Sequence, residues 1–244
     1  LLAGKRVLVT AAAGTGIGFA TAKRCAEEGA VVAISDKHER RLGESAEQLA
    51  AVMGVAPLAV PCDVTVESDV QRMFDAAGDL DILINNAGLG GTAELVEMTD
   101  EQWSRVVDIT LNGTMRCTRA AMKRMRDAGH GGAIVNNASV IGWRAQAGQA
   151  HYAAAKAGVM ALTRTAAVEA AAFGVRVNAV APSLAMHENL AKVTTEELLA
   201  ELTSREAFGR AAEPWEIANV IIFLASDYAS YLTGEVISAS SQHP

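Results

Sequence analysis

The first 36 residues leave few folds open to this chain. A β-branched run at Arg6-Val-Leu-Val9 leads into a glycine-rich turn, Thr10-Ala-Ala-Ala-Gly14-Thr-Gly16-Ile-Gly18. An amphipathic stretch from Ile17 to Glu28 and a second run, Val31-Val-Ala-Ile34, follow. Strand, tight turn, helix and strand in that order form a β-α-β unit, which demands parallel strands with the helix packed on one face. The pattern then repeats. A helical segment from Glu39 to Val52 precedes a short apolar run at Leu58 to Val60, and a helix from Glu67 to Ala77 precedes Ile82 to Ile84.

Further along, Thr99 with Gln102 makes a capping box that opens a helix running past Met115 to Arg126, where Gly129, Gly131 and Gly132 stop it. Ala133 to Val135 gives a fifth strand, Ala150 to Ala172 a long helix, Val175 to Val180 a sixth strand and Gly234 to Ile237 a last one. This alternation predicts one α/β domain over residues 1–244, a doubly wound parallel sheet of the Rossmann kind. Residues 183–212 break the alternation. Thr194 with Glu197 caps a short segment, Glu196 to Ser204, before Glu213-Pro214 opens a helix to Leu224. An insert that follows the carboxyl end of a strand lies over the ligand crevice.

Charge narrows the ligand. The formal net charge is −7 and no Lys/Arg block exists, whereas nucleic acid and anionic membranes need a concentrated cationic face. A small molecule is the expected partner. No apolar run approaches the roughly 18 residues that span a bilayer, and the first residues lack a secretory pattern, so a cytoplasmic location is expected. Cys25, Cys62 and Cys117 are odd in number and far apart, which fits reduced core thiols and neither a disulfide framework nor a metal site.

Glycines at 14, 16 and 18 allow a pyrophosphate to approach the backbone at a helix N-terminus, where unpaired N–H groups and the helix dipole favour negative charge. Thr10, Ala12, Gly14, Gly16, Ile17 and Gly18 are the candidate contacts. A tight turn with close helix packing would look the same in isolation. Asp36 at the end of the second strand strengthens the dinucleotide reading, because a carboxylate there accepts the adenosine ribose hydroxyls and repels a 2′-phosphate. NAD is expected over NADP, with Lys37, Arg40 and Arg41 as the residues that would argue for NADP. Asp63-Val64 and Asn86-Ala87-Gly88 end later strands, where adenine and the nearer ribose would lie.

Ser139 ends the fifth strand, and Tyr152 and Lys156 share one face of the following helix. An ammonium about 4 Å from the phenol, at an effective dielectric near 20, would favour phenolate by roughly 4 kcal/mol, about three pKa units. Tyr152 would then exchange a proton with a substrate oxygen that Ser139 fixes. A surface Tyr/Lys pair is the plain alternative; the dinucleotide loop in the same chain weighs against it.

These residues resemble the short-chain dehydrogenase/reductase family, whose marks are Thr-Gly-x-x-x-Gly-x-Gly, Asn-Asn-Ala-Gly, a Ser ahead of Tyr-x-x-x-Lys, and Asn-x-x-x-Pro-Gly. Thr10, Gly16, Gly18, Asn85 to Gly88, Ser139, Tyr152, Lys156, Asn178 and Pro182 match. The resemblance implies a hydride transfer between a nicotinamide cofactor and a hydroxyl or keto carbon, cofactor contacts at Tyr152, Lys156 and Pro182, and a homodimer or homotetramer. The apolar circumference of the 150–172 helix also suits assembly. Departures are equally informative. The loop is one residue longer and Ala11 replaces its first Gly. The family's relay Asn aligns with Thr110 and not with nearby Asn112, the family's nicotinamide-contacting Thr with His187, and the usual Asp-Gly-Gly near the end with Ser238 to Gln242.

Within the family, the motif order is similar to 3-oxoacyl thioester reductases. The stretches Asn136-Asn-Ala-Ser-Val-Ile-Gly-Trp-Arg-Ala-Gln146 and Phe208-Gly-Arg-Ala-Ala-Glu-Pro-Trp-Glu216 look like members acting on the hydroxy-indanone CoA thioester left from steroid C and D rings. An acyl-thioester substrate is thereby implied. Trp143, Gln146, Gln149, Leu184 and Met186 are pocket candidates, with Arg144 and Lys192 as possible phosphate contacts. A polyol or sugar dehydrogenase, and a nucleotide-sensing protein without turnover, are the competing readings.

Overall fold

A computed structural model of the chain describes residues 1–186 and 196–242, so His187, Lys192 and the Thr194 cap lie outside the described residues. Strands β1 (Arg6–Thr10), β2 (Val31–Asp36), β3 (Leu58–Pro61), β4 (Ile82–Asn85), β5 (Gly132–Asn137), β6 (Val175–Pro182) and β7 (Val236–Ala239) form one sheet in the order β3-β2-β1-β4-β5-β6-β7. Every pairing is parallel. The order reverses between β1 and β4, which opens the crevice at their carboxyl ends.

Helices cover both faces. On one side α1 (Ile17–Glu27), α2 (Glu39–Met53) and α8 (Pro214–Ala225) bury Val7, Val9, Ile84 and Val135. On the other, α3 (Glu67–Ala77), α5 (Gly113–Ala128) and α6 (Ala150–Ala170) bury Leu8, Leu83, Ile134 and Val177. Successive strand residues therefore enter opposite cores, which is why the runs read as continuously apolar. The Glu196–Ser204 helix, α7, is present as expected, and Glu213 and Glu216 form a capping box ahead of α8. The last strand starts two residues later than expected, because Gly234 turns the chain at φ +79°.

The long helix from Thr99 is not continuous. Its capping box forms, but α4 (Asp100–Val107) passes through five π-helical residues, Asp108–Asn112, before α5 begins. Two tertiary demands account for the break. The Thr110 hydroxyl is drawn onto the main chain of Leu89, accepting its N–H at 3.0 Å and donating to its C=O at 3.2 Å. At the start of α5, a Cβ on Gly113 would stand 2.6 Å from Val64 Cγ2, so the helix runs hard against the loop after β3. Thr114 Oγ1 donates to the Thr110 carbonyl at 2.8 Å within the altered register.

Polar side chains knit the carboxyl ends of the central strands. Asn85 Nδ2 donates to Thr118 Oγ1 and to Asn136 Oδ1, and Asn136 Nδ2 donates to Thr163 Oγ1, each at 2.9 Å. All four residues are buried, so the network fixes α5 and α6 against β4 and β5. Asn136→Ala removes two of these bonds and leaves polar partners unmet, and should cost about 2–3 kcal/mol, a fall in Tm of roughly 5–10 °C. A thermal melt checks this; an unchanged Tm would mean that apolar packing alone sets the helix positions.

Candidate active site

The turn after β1 carries its strain at Ala11, the one non-glycine residue with positive φ (+49°) among the described residues. Its geometry is held from outside. Ala12 N–H donates to the Ser35 carbonyl at 3.0 Å, Ala13 N–H to Asp36 Oδ2 at 3.4 Å, and Gly14 N–H to Ser45 Oγ at 3.0 Å. Ser45, buried on α2, gave no sign of this in the sequence, where it stands 31 residues away. The next donors are spare. Gly16 caps α1 without a side-chain bond, and the N–H groups of Ile17, Gly18 and Phe19 have no partner among the described residues. Gly18 is obligatory, since a Cβ there would lie 2.3 Å from the Ala11 carbonyl oxygen. Unpaired donors on a helix N-terminus beside a bare glycine backbone fit the pyrophosphate of a dinucleotide.

Thr10 works behind this surface. Its buried hydroxyl accepts the N–H groups of Asn86 (3.0 Å) and Ala87 (3.2 Å), tying the loop after β4 to the end of β1. Asp36 is buried at the end of β2, with Oδ1 accepting His38 N–H at 2.9 Å. Both the turn-forming role and the ribose-facing role foreseen for it remain compatible, because a carboxylate has further acceptor sites. Lys37, His38, Cys62 and Asp63 line a cleft between the ends of β2 and β3, where adenine was expected.

The candidate reacting groups lie in the turn just after β5 and on α6. Ser139, nearly buried, caps a turn at Val140–Gly142 by accepting Ile141 N–H at 3.3 Å, which leaves its own O–H to donate. Tyr152 and Lys156 stand one turn apart near the start of α6, with Nζ 5.5 Å from the centre of the phenol ring. The ammonium points to the Asn137 carbonyl at 2.5 Å. The expected electrostatic lowering of the phenol is therefore reversed. Burial pushes Tyr152 up to about 12, opposed by the Ser139 hydroxyl, and burial pulls Lys156 down to about 8.

Gly88 lies between Lys156 and Thr110: a Cβ on it would be 3.4 Å from Nζ and 3.8 Å from Thr110 Oγ1. Thr110 is fully buried, and its single donor is committed to Leu89. It clamps the 86–89 loop. Asn112 turns away and donates to Asp108 Oδ1 at 3.0 Å. His151, immediately before Tyr152 and overlooked in the sequence, is buried and accepts the Tyr152 N–H on Nδ1 at 2.9 Å within the first turn of the helix that carries the phenol.

Around the crevice mouth, Trp143 is half exposed and Gln149 donates to Thr92 Oγ1 at 3.3 Å. Arg144, foreseen as a phosphate contact, instead donates to Gln242 Oε1. Gln242 Nε2 in turn donates to Glu206 Oε1 at 2.9 Å. That buried carboxylate also receives Ser241 Oγ at 2.7 Å and Leu184 N–H at 3.3 Å.

The lowered lysine has a measurable consequence. Between about pH 8 and its ordinary value near 10.5, Lys156 is protonated in the unfolded chain and neutral in the folded one. The unfolded state binds the extra proton, so this group adds stability as pH rises through that window and costs stability below it, by about 3 kcal/mol at most. Lys156→Met should therefore melt higher than the parent at pH 7, with the gap shrinking as pH rises toward 10. A gap that stays constant with pH would refute the buried-ammonium assignment.

Residues 11–241 match the family described as enoyl-(acyl carrier protein) reductase. The chain is 61% identical to the (5R,7aS)-5-hydroxy-7a-methyl-1-oxo-2,3,5,6,7,7a-hexahydro-1H-indene-carboxyl-CoA reductase of Mycobacterium tuberculosis, over 100% of this chain and 95% of that protein. It is 40% identical to the 3-oxoacyl-(acyl-carrier-protein) reductase of Thermotoga maritima, over 97% and 96%. A short chain dehydrogenase of known structure from Mycobacterium smegmatis superposes with a TM-score of 0.87 at 58% identity, covering 100% of this chain and 95% of that one. With these matches, a glycine turn after β1, Tyr152 and Lys156 one turn apart on α6 and a parallel sheet in the order 3-2-1-4-5-6-7, the chain belongs to the short-chain dehydrogenase/reductase family, oxidoreductases that use NAD(P)H at a hydroxyl or keto carbon.

Proposed function

We propose that this chain interconverts a keto and a hydroxyl group on a CoA thioester of a hydroxy-indanone type, derived from steroid C and D rings, with NAD(H) as cofactor. The observation that carries the substrate is the 61% identity over the whole chain to a reductase of that chemistry. Trp143, Leu184 and Met186 offer apolar surface for a fused ring, and the ends of the 183–212 insert, bonded to the chain's last residues, would cover it.

The proton chemistry follows from the site. With its pKa near 12, the Tyr152 phenol holds its proton at neutral pH and is suited to delivering it to the oxygen of a ketone under reduction. The Ser139 hydroxyl, which sits beside the phenol, can hold that same oxygen. Lys156, still protonated at pH 7, compensates the phenolate left behind, and its position beside Gly88 puts it within reach of a ribose bound over the loop. The nicotinamide nucleotide, when bound, supplies the hydride donor or acceptor. Its phosphates would rest on Ala12, Gly14, Gly16, Ile17 and Gly18, and its adenosine against Asp36, Asp63 and Val64. Asn86, Ala87 and Gly88 would border the adenosine and, where Gly88 meets Lys156, reach toward the second ribose, with Thr10 holding their loop and Pro182 flanking the nicotinamide. Asp36 supports NAD over NADP by repulsion of a 2′-phosphate.

The reading places the enzyme in the cytoplasm as a homodimer or homotetramer. The outer line of α6, Ala154, Ala161 and exposed Val168 at seven-residue spacing, supports an assembled form.

Three measurements test the reading. Tyr152→Phe should lower kcat by roughly 100- to 10,000-fold with NADH affinity kept, the contribution of a positioned proton donor; turnover unchanged in a working assay would remove the mechanism. NADH should bind at least about tenfold tighter than NADPH, and tighter NADPH binding would overturn the role given to Asp36. A turnover screen over ring-bearing and linear 3-oxoacyl CoA thioesters, with polyols as controls, should favour the ring-bearing thioesters. Failure of every acyl-CoA to bind or react would discard the substrate class.

A further inference from the structure

Alternate residues of β5 face opposite cores, and on the α1 and α8 side Ala133 and Val135 are buried among apolar neighbours. The next residue on that side is Asn137, where an apolar side chain would continue the pattern. Its neighbour Asn136 faces the other core with both ends of its amide partnered. Asn137 has only one end partnered. Asn86 spends its Nδ2 on the Ala11 carbonyl at 3.0 Å, so only Oδ1 of Asn86 is left to face Asn137. Asn137 must therefore present its Nδ2, which donates at 2.9 Å, and its Oδ1 is left buried without a partner among the described residues. A valine would leave no such orphan, so the amide is explained by its donor and not by packing.

Two further facts give that donor a purpose. The main-chain carbonyl of the same residue accepts Lys156 Nζ at 2.5 Å. At the other end, the carbonyl that Asn86 holds belongs to Ala11, the strained residue of the glycine turn, and Gly18 packs directly on this contact: a Cβ would meet the Ala11 oxygen at 2.3 Å and Asn86 Nδ2 at 2.4 Å. We propose that Asn137 is a positioning residue that locks the dinucleotide turn to the catalytic lysine, through Lys156 Nζ to Asn137 O, Asn137 Nδ2 to Asn86 Oδ1, and Asn86 Nδ2 to Ala11 O. The proposal rests on the reading of Lys156 and of the 10–18 turn given above. Without the Asn137 amide, Asn86 is free to rotate, Ala11 loses the bond that keeps it at positive φ, and the turn relaxes away from the shape that receives a pyrophosphate.

NADH titration of the full chain, followed by fluorescence, tests this without any substrate. Asn137→Val should weaken NADH binding about tenfold, the effect of losing one buried positioning bond. In the Asn137→Val background, Ala11→Gly should recover most of the loss, because glycine adopts positive φ unaided. Lys156→Met and Asn137→Val should be non-additive in NADH affinity, as members of one chain of contacts are. NADH affinity unchanged in a folded Asn137→Val protein would overturn the proposal, as would failure of Ala11→Gly to restore it; strict additivity would sever the lysine from the chain. Should the valine variant not fold, Asn137→Ser carries the same comparison. Failure of the cofactor reading itself would show differently, as no NADH binding by the parent protein.

Discussion

The chemistry of this protein depends on how the carboxyl ends of β1, β4 and β5 are stitched together. Parallel strands secure each other along their length, but their ends, where a crevice opens, have no ladder to hold them. Two sets of side-chain bonds replace it. Thr10 draws the main chain of Asn86 and Ala87 onto β1, while Asn85 and Asn136 carry a buried chain of amides out to Thr118 and Thr163. The first set shapes the loop that borders the cofactor crevice. The second sets α6, and with it Tyr152 and Lys156, at a fixed height above the sheet. Each bond is worth only about 1 kcal/mol net, but an unmet partner in a buried network costs more than a bond supplies, so the arrangement resists gradual loosening.

That rigidity carries groups that destabilise the fold. Burial disfavours the charged forms of both Tyr152 and Lys156, and moves them in opposite directions, to about 12 and about 8. A buried ammonium whose hydrogen-bonded partner is a neutral carbonyl, and an alanine at φ +49°, are both costs that packing elsewhere offsets. Their position is informative. The strained alanine sits on the turn with spare N–H groups, the ammonium beside the phenol, and the two are joined by only two asparagines.

Local signals made the frame legible in the sequence. The strands, the capping box at Thr99, the helix start at Glu213-Pro214, and the shared face of Tyr152 and Lys156 depend on residues within a turn or two of one another, and period and spacing report them directly. What stayed hidden joins distant segments. Ser45 holds Gly14, Asn86 holds Ala11, and Leu89 captures Thr110, over separations of 31, 75 and 21 residues. The π-helical turn belongs to this class, because an uninterrupted helical pattern gives no hint that a threonine hydroxyl will be pulled sideways. The direction of the phenol's shift was also beyond the sequence. Spacing brings a lysine near a tyrosine, but the depth of burial decides whether attraction or desolvation wins, and depth is a property of the whole fold.

The departures from the family's motifs make better physical sense together than singly. A threonine in place of an asparagine at 110 gives up a long amide, and its hydroxyl both donates to and accepts from the main chain of Leu89, which clamps the loop beside Gly88. The replacement of the usual glycines near the end by Ser238 to Gln242 has a counterpart on the opposite wall. Glu206 is buried, and a buried carboxylate with no cation against it among the described residues needs donors. Ser241, Gln242 and the Leu184 N–H supply them, and Arg144 offers its charge one amide away through Gln242. Glycines at 241 and 242 would have no side chains with which to do this. The carboxylate at 206, the polar tail and the arginine at 144 are thus mutually required. They bind three separated segments, the loop before Tyr152, the insert and the tail, into one wall on the side of the crevice where the proposal places the fused ring.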